Sequence, residues 1–400
     1  MKKIYYGKAV YDHKEINAVL NVLKNDSLSL IDGKKVKYLE KKVSKIFGKK
    51  YGLMVNSGSS ANLLALSSYK FKKGSEIITP NLTFSTTVAP IYQLGLIPHF
   101  VGVEKNKFVT DPSKIEKCIN KKTVALMIPN LLGNIADWKK IYKIAKKYKL
   151  KIIEDSADTI GYTVNKKNLG KYSDIVTNSF YASHIINGAG TGGIVCFNDY
   201  NLYQKAKLLR GWGRSSATFN ESENTTKRFS VKVSGIDYDA KYIFSDLGYN
   251  FLPSEISAAF ALIQFKKLKS NIEKRISNFK FLQESLIYSE NFFVPKTYNN
   301  VKTGWLAFPL ILQNKLANKR REMQIYLEKA GIQTRTIFTG NIMRQPVSKK
   351  FKWDSFGTFE VSDEVMRSGI LLGSHNRQPK ENLEFIIMKI KECEKSLLKH

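Results

Sequence analysis

Four hundred residues, 43% of them hydrophobic and 12% aromatic, are enough for one large and one smaller domain whose cores need no covalent staples. The formal charge of +31 raises the question of nucleic acid. The basic residues, however, are mostly lysines spread along the whole chain, without the ordered basic and aromatic footprint that such a partner requires.

The opening stretch MKKIYYGKAVYDHKE turns polar too soon for a secretory segment, and no run approaches the roughly 18 apolar residues of a membrane span. Three distant cysteines, Cys118, Cys196 and Cys393, form no C-x-x-C pair, which speaks against a disulfide framework or structural zinc. A cytoplasmic protein without a membrane partner is expected. From there, short apolar runs rich in branched residues alternate with amphipathic ones. YGLMV, EIITP, IPHFVGV, TVALMIP, LKIIED, DIVTNSF and GGIVCF read as buried strands. In IYKIAKKYK, the residues Ile141, Ile144, Ala145 and Tyr148 share one helix face. This alternation predicts an α/β fold with a mostly parallel seven-stranded sheet. The polar segment 215–235 reads as a long loop, and a long helix is expected from Ser254. A large domain over 1–287 and a smaller C-terminal α+β domain over 288–400 follow.

Ligands of an open α/β sheet sit at the carboxyl ends of its strands, and four such ends carry chemistry. After YGLMV comes NSGSSAN, where Gly58 permits close backbone approach and the amide of Ser59 suits an anion at a helix start; a plain helix cap reads equally well. After EIITP, Phe84 is an aromatic that either stacks on a flat ring or packs in the core. LKIIED ends in Asp155, with Asp158 three residues on. A buried carboxylate needs a partner, which a protonated ring nitrogen or a helix cap would supply. DIVTNSF leads to Ser179 and then His184, a base or a packed structural histidine.

The order of these groups resembles the DegT/DnrJ/EryC1/StrS sugar aminotransferases, pyridoxal-phosphate enzymes of fold type I similar to aspartate aminotransferase. RGWGR (210–214), YIFSDLGYNFLPSEISAA (242–259) and TRTIFTGNIMRQP (334–346) look most like one branch, the NDP-4-keto-6-deoxyhexose 3-dehydratases. That branch carries histidine where the others have the cofactor lysine, and SFYASH places His184 there. The resemblance implies that Gly58, Ser59 and Ser179 hold the cofactor phosphate, with Asn250 reaching in from a second subunit of a homodimer. Phe84 would stack on the ring, Asp155 would pair with its nitrogen and Asp158 would lie near its phenolic oxygen. Arg335 and Arg344 are implied as substrate or interface contacts. One departure is local: the family usually has GEGG after the histidine segment, whereas residues 188–193 read GAGTGG.

Imidazole cannot form the covalent bond by which a lysine amine tethers the cofactor. The resemblance therefore implies free pyridoxal or pyridoxamine 5'-phosphate, with His184 as a base that is competent near neutral pH. The reaction implied is loss of the hydroxyl at carbon 3 of a nucleotide-linked 4-keto-6-deoxy sugar. Within the branch, one type draws electrons through an iron–sulfur cluster and the other uses L-glutamate as amino donor. Three cysteines cannot supply the four thiolates of a [2Fe–2S] cluster. Glutamate without a metal is therefore expected. The alternatives are a related nucleotide-sugar enzyme of different regiochemistry, or a non-catalytic basic binding protein.

Overall fold

The seven apolar runs become seven strands of one sheet. They are β1 (Tyr51–Val55), β2 (Glu76–Pro80), β3 (Ile97–Val101), β4 (Thr123–Pro129), β5 (Lys151–Asp155), β6 (Ile175–Ser179) and β7 (Gly193–Phe197). The computed structural model describes residues 3–25, 30–218 and 224–399. Nearly every residue of these strands is buried, as a sheet covered by helices on both faces requires. Their order is β1-β7-β6-β5-β4-β2-β3. β7 runs antiparallel to both β1 and β6, and the remaining pairs are parallel. An eighth short strand, Asp354–Phe356, joins the edge beside β3 in parallel, with Ser355 opposite Phe100. The expected count of seven thus covers the main body of the sheet, and the C-terminal third supplies the additional edge.

Register decides where the functional side chains emerge. Asp155 pairs with Pro129 on one side and Thr177 on the other. The carboxyl ends of β4, β5 and β6 therefore open at one edge of the sheet, where ligands of such folds bind. Helices cover both faces. The helix Trp138–Lys147 buries Trp138, Ile141 and Ala145 and leaves its lysines outside.

The expected long helix from Ser254 divides at Lys267 into Glu255–Lys266 and Leu268–Leu286. Lys267 Nζ turns to Glu15 (2.7 Å) and Asp12 (2.9 Å), which ties the joint to the helix His13–Asn25. The segment 215–235 is not a plain loop. It holds a short helix, Thr225–Phe229, and the first strand of a hairpin that pairs Val231–Val233 with Ile236–Tyr238. Residues 219–223 of that segment lie outside the described residues.

After Leu286 the chain builds an antiparallel sheet of Phe292–Phe293, Phe308–Leu312 and Gly369–Leu372, covered by the helices Arg320–Lys329 and Lys380–Leu397. Leu310, Leu312, Met323, Leu327, Ile370 and Ile386 are fully buried in one apolar cluster. Each contributes about 1.5–3 kcal/mol by leaving water. The cluster also takes in Leu82, Leu131 and Leu132 from the loops that follow β2 and β4, so the C-terminal lobe packs against the edge of the sheet where Asp155 emerges.

Candidate active site

A cavity of about 920 Å³ opens at that edge, within the range of pockets that bind cofactors and substrates. Its floor is the start of the helix Gly58–Tyr69, whose cap Ser57 accepts from the Ser60 amide at 3.0 Å. The first amides of a helix have no acceptor within it. Gly58 is required here by space. A Cβ built on it would lie 2.6 Å from Ser179 Cβ and 2.9 Å from Ser179 Oγ, so only glycine lets the end of β6 rest against the helix start.

Asp155 stands beside this cradle, buried at the end of β5. Its Oδ2 accepts from Asn62 Nδ2 and Thr87 Oγ1, both at 2.8 Å, and its Oδ1 accepts from the Ala157 amide at 3.1 Å. Asn62 is itself held, because its Oδ1 accepts from Thr177 Oγ1 at 2.6 Å. All three donors to Asp155 are neutral, and burial pushes its carboxyl above the usual carboxylate range. A cation beside it would reverse that. Asp158 follows on the next turn, where it accepts from the Leu132 amide at 2.9 Å. Burial first, and the neighbouring Asp155 second, push it up to about 7.

His184 sits on the turn after β6 with 14% of its side chain exposed. Its Nε2 is 3.9 Å from Asp158 Oδ1, and its buried Nδ1 has no hydrogen-bond partner. Burial lowers the imidazole to about 4, so it is neutral at pH 7. The unpartnered nitrogen faces a cost that a ligand would remove.

Phe84 lines the cavity with its ring edge against Phe338, the centroids 5.6 Å apart. Half of its surface is exposed, so it is not a core residue. Arg335 closes the opposite side, its main chain bridged to Leu371 and its guanidinium 5.9 Å from the Tyr6 ring.

A sequence model of the DegT/DnrJ/EryC1/StrS aminotransferase family matches residues 10–391. The chain belongs to this family. It is 34% identical over 365 residues to the lipopolysaccharide biosynthesis protein RfbH of Salmonella typhimurium, covering 88% of this chain and 83% of that one. It is 32% identical to the GDP-4-keto-6-deoxy-D-mannose 3-dehydratase of Yersinia pseudotuberculosis, covering 94% and 95%. A crystal structure of GDP-4-keto-6-deoxymannose-3-dehydratase with a trapped PLP-glutamate geminal diamine superimposes with a TM-score of 0.85 at 27% identity, over 96% of this chain and 99% of that one.

The residues of this DegT-family chain fit such a cofactor. A helix start with a glycine approach suits a phosphate. An acid held only by neutral donors suits a protonated ring nitrogen, and an exposed phenyl ring suits stacking.

Gly58, Ser59, Phe84, Asp155, Asp158, Ser179, His184 and Arg335 all line the one cavity. Asn250 does not. It is bridged to Gly211 on an exposed stretch of the same chain. Arg344 is not brought there either: it is exposed and paired with Asp363, its Nη2 2.8 Å from Oδ2. The resemblance of TRTIFTGNIMRQP marked it, but the carboxylate of Asp363 claims its guanidinium.

Tyr5, Tyr6, Asn62, Thr87 and Gln333 also line the cavity and were not anticipated. Asn62 was within reach of sequence reasoning, one helical turn from Gly58 on the same helix. Tyr6 and Gln333 were not, because their meeting, Tyr6 N–H donating to Gln333 Oε1 at 3.1 Å, joins residues 327 positions apart.

The departure GAGTGG is a tight turn. Ala189, Gly190 and Gly192 adopt left-handed φ angles of 56°, 102° and 122°, and Thr191 Oγ1 donates to the Asn56 carbonyl at 2.5 Å. The Gly192 amide returns to the same Asn56 carbonyl at 3.0 Å. Among the described residues, the group with metal-ligand chemistry is Glu76, His99 and Asp354, none of which lines the cavity.

Proposed function

We propose that this chain removes the 3-hydroxyl from a nucleotide-linked 4-keto-6-deoxy hexose, using pyridoxal/pyridoxamine 5'-phosphate and L-glutamate as amino donor. The observation that carries this reading is a neutral, partly buried His184 in the family's cofactor cavity, where an untethered cofactor and a base are needed together. When bound, the pyridoxamine form supplies an amine that condenses with a sugar ketone and a ring that takes up an electron pair.

The protein's own groups have separable tasks. The start of the helix at Gly58 and Ser59, with Ser179, would anchor the phosphate. Asp155 would hold a proton on the ring nitrogen, and Phe84 would keep the ring flat against the sheet edge. His184, unprotonated at pH 7, would accept a proton at an imidazole nitrogen and return it to the hydroxyl leaving carbon 3, so that water departs. Asp158 Oδ1, 3.9 Å away, faces the protonated ring. Arg335, across the cavity, would meet the anionic part of the substrate. Glutamate would restore the pyridoxamine form and leave as 2-oxoglutarate, and the nitrogen carried to carbon 4 of the sugar would be released as ammonia when water restores the ketone.

The same reading takes the chain as a homodimer. Its support is the exposed apolar stretch that carries Tyr242, Phe244 and Leu247 beside Asn250. A second copy would cover that face, with Asn250 reaching the neighbouring phosphate site. Two lobes divided near residue 288, and a cytoplasmic location, belong to the same reading. No helix among the described residues is long and apolar enough to cross a membrane. Cys118, Cys196 and Cys393 are buried and free on three separate elements, which favours the route without an iron–sulfur cluster.

The test is mass spectrometry of products from a panel of GDP-, CDP-, dTDP- and UDP-linked 4-keto-6-deoxy sugars, with and without glutamate. A 3-deoxy product with 2-oxoglutarate supports the reading. An amino sugar, or no turnover with any of them, refutes it.

A further inference from the structure

Behind the cavity wall lies a charge that the reaction above does not use. Arg275, on the helix Leu268–Leu286, has 1% of its surface exposed. Its guanidinium meets no carboxylate among the described residues. It donates to the carbonyls of Leu306 at 2.9 Å, Trp305 at 3.4 Å and Ser183 at 3.4 Å, and its buried Nε has no partner. Burying a cation without a counter-charge is unfavourable, so this placement calls for a compensating role.

Two features connect it to the base. Ser183 immediately precedes His184, and from the other side the N-terminal segment presses on it: a Cβ at Gly7 would lie 2.8 Å from Ser183 Cβ. The peptide that carries His184 is therefore held between Gly7 and Arg275. The charges around the imidazole are also unevenly distributed. Asp155 at the end of β5 and Asp158 on the turn after it line the cavity, with Arg335 across it, and Tyr181 meets the imidazole edge-on from its own turn. Tyr6 lines the cavity from the N-terminal segment, and Arg275 is the cation on the protein side. His375, Tyr6 and Tyr162 also feel Arg275, and none of them is a permanent anion. Asp158, and the diphosphate of an incoming substrate, would each draw a proton onto the ring and so remove the base.

We propose that Arg275 is a positioning residue for the dehydration: its guanidinium fixes the Ser183 carbonyl and with it the His184 ring, and its unneutralised charge keeps that ring unprotonated when anions enter the cavity. This rests on the reading of His184 as the base. Burial is the first cause of the low imidazole value and Arg275 acts in the same direction.

The test is an NMR titration of histidine-labelled full-length protein without substrate, with the His184 signal assigned from its loss in His184→Gln. Wild-type His184 should titrate below pH 5, against an ordinary value of about 6.5. Arg275→Met should raise the midpoint by about half a pH unit, and Arg275→Lys should restore most of the difference. In turnover, the acid limb of kcat should move upward by the same amount in Arg275→Met while KM changes little. A wild-type midpoint near 6.5, or a folded Arg275→Met whose midpoint is unmoved, overturns the proposal. If Arg275→Met does not fold, the wild-type and Arg275→Lys midpoints decide alone: a low wild-type value kept in the lysine variant supports it, and a lysine variant that titrates near 6.5 overturns it. Because the titration needs no substrate, a low midpoint in a protein that dehydrates no sugar would refute the proposed function while leaving the hold of Arg275 on the His184 ring and its protonation standing.

Discussion

Asp158→Asn isolates the electrostatics of the site before any substrate is involved. The carboxyl is 8% exposed, accepts one main-chain hydrogen bond from Leu132 and lies beside Asp155. Its value rises from 3.8 to about 7, which is worth about 4 kcal/mol at about 1.36 kcal/mol per pH unit. Asparagine keeps an oxygen for the Leu132 amide and removes the charge. The folded-state value lies above the unfolded one, so the folded protein holds a proton that the unfolded chain releases. The resulting cost is present in full above about pH 7 and fades as pH falls towards 3.8. The substitution should therefore stabilise the cofactor-free protein by about 4 kcal/mol at pH 8 but by about 2 kcal/mol at pH 5.5. Urea unfolding at the two pH values, at one protein concentration, measures both. Equal gains at both pH values, or none at pH 8, would refute the argument that burial and Asp155 govern this carboxyl.

His184→Lys should attach the cofactor covalently, seen as a mass increase after borohydride reduction, and should abolish the 3-deoxy product. Asp155→Asn should lower kcat by about 100-fold with little change in KM for the sugar, as expected when a fixed charge partner of the reacting system is lost; steady-state kinetics reads the split. At Gly193 a Cβ would lie 2.5 Å from the Ser57 carbonyl carbon and oxygen and 2.6 Å from the Gly58 nitrogen. Gly193→Ala should cost about 1–3 kcal/mol and weaken cofactor binding in a fluorescence titration. A variant with Cys118, Cys196 and Cys393 all replaced by alanine should still dehydrate with glutamate and no reductase. Loss of turnover in that variant, with its circular dichroism unchanged, would point to a thiolate-held cluster.

The strands of the large sheet could be read because burial on both faces demands unbroken apolar runs, and seven such runs stand out. Their order could not. The reversal of β7 is a matter of pairing with β1 and β6, about which the local sequence of GIVCF is silent. Asp354–Phe356 escaped notice because an edge strand of three residues, with Asp354 and Phe356 exposed, has no apolar signature. The first strand of the hairpin, Val231–Val233, read as loop because Lys232 and Val233 face water. In the site, Asp155 was legible from its position after a buried strand. His184 was legible only through the resemblance, since a lone histidine carries no signal of its own. Arg275 was hidden in a helix whose amphipathic pattern gives no hint that one of its cations points inward.

Three hydrogen bonds decide how a bulky ligand reaches the cavity. Thr339 Oγ1 donates to the Thr83 carbonyl, the Ile342 amide to the Asn81 carbonyl, and Ser362 Oγ to Asn81 Oδ1. These bonds rivet the rim that carries Phe338 to the turn that carries Phe84. Swinging the C-terminal lobe away would break all three at once. The leading strap is fastened as well, Ile4 to Gly331 and Gln333, Tyr6 to Gln333, and the Val10 carbonyl to Gln264 Nε2, so a bulky ligand meets a mouth whose walls are already set.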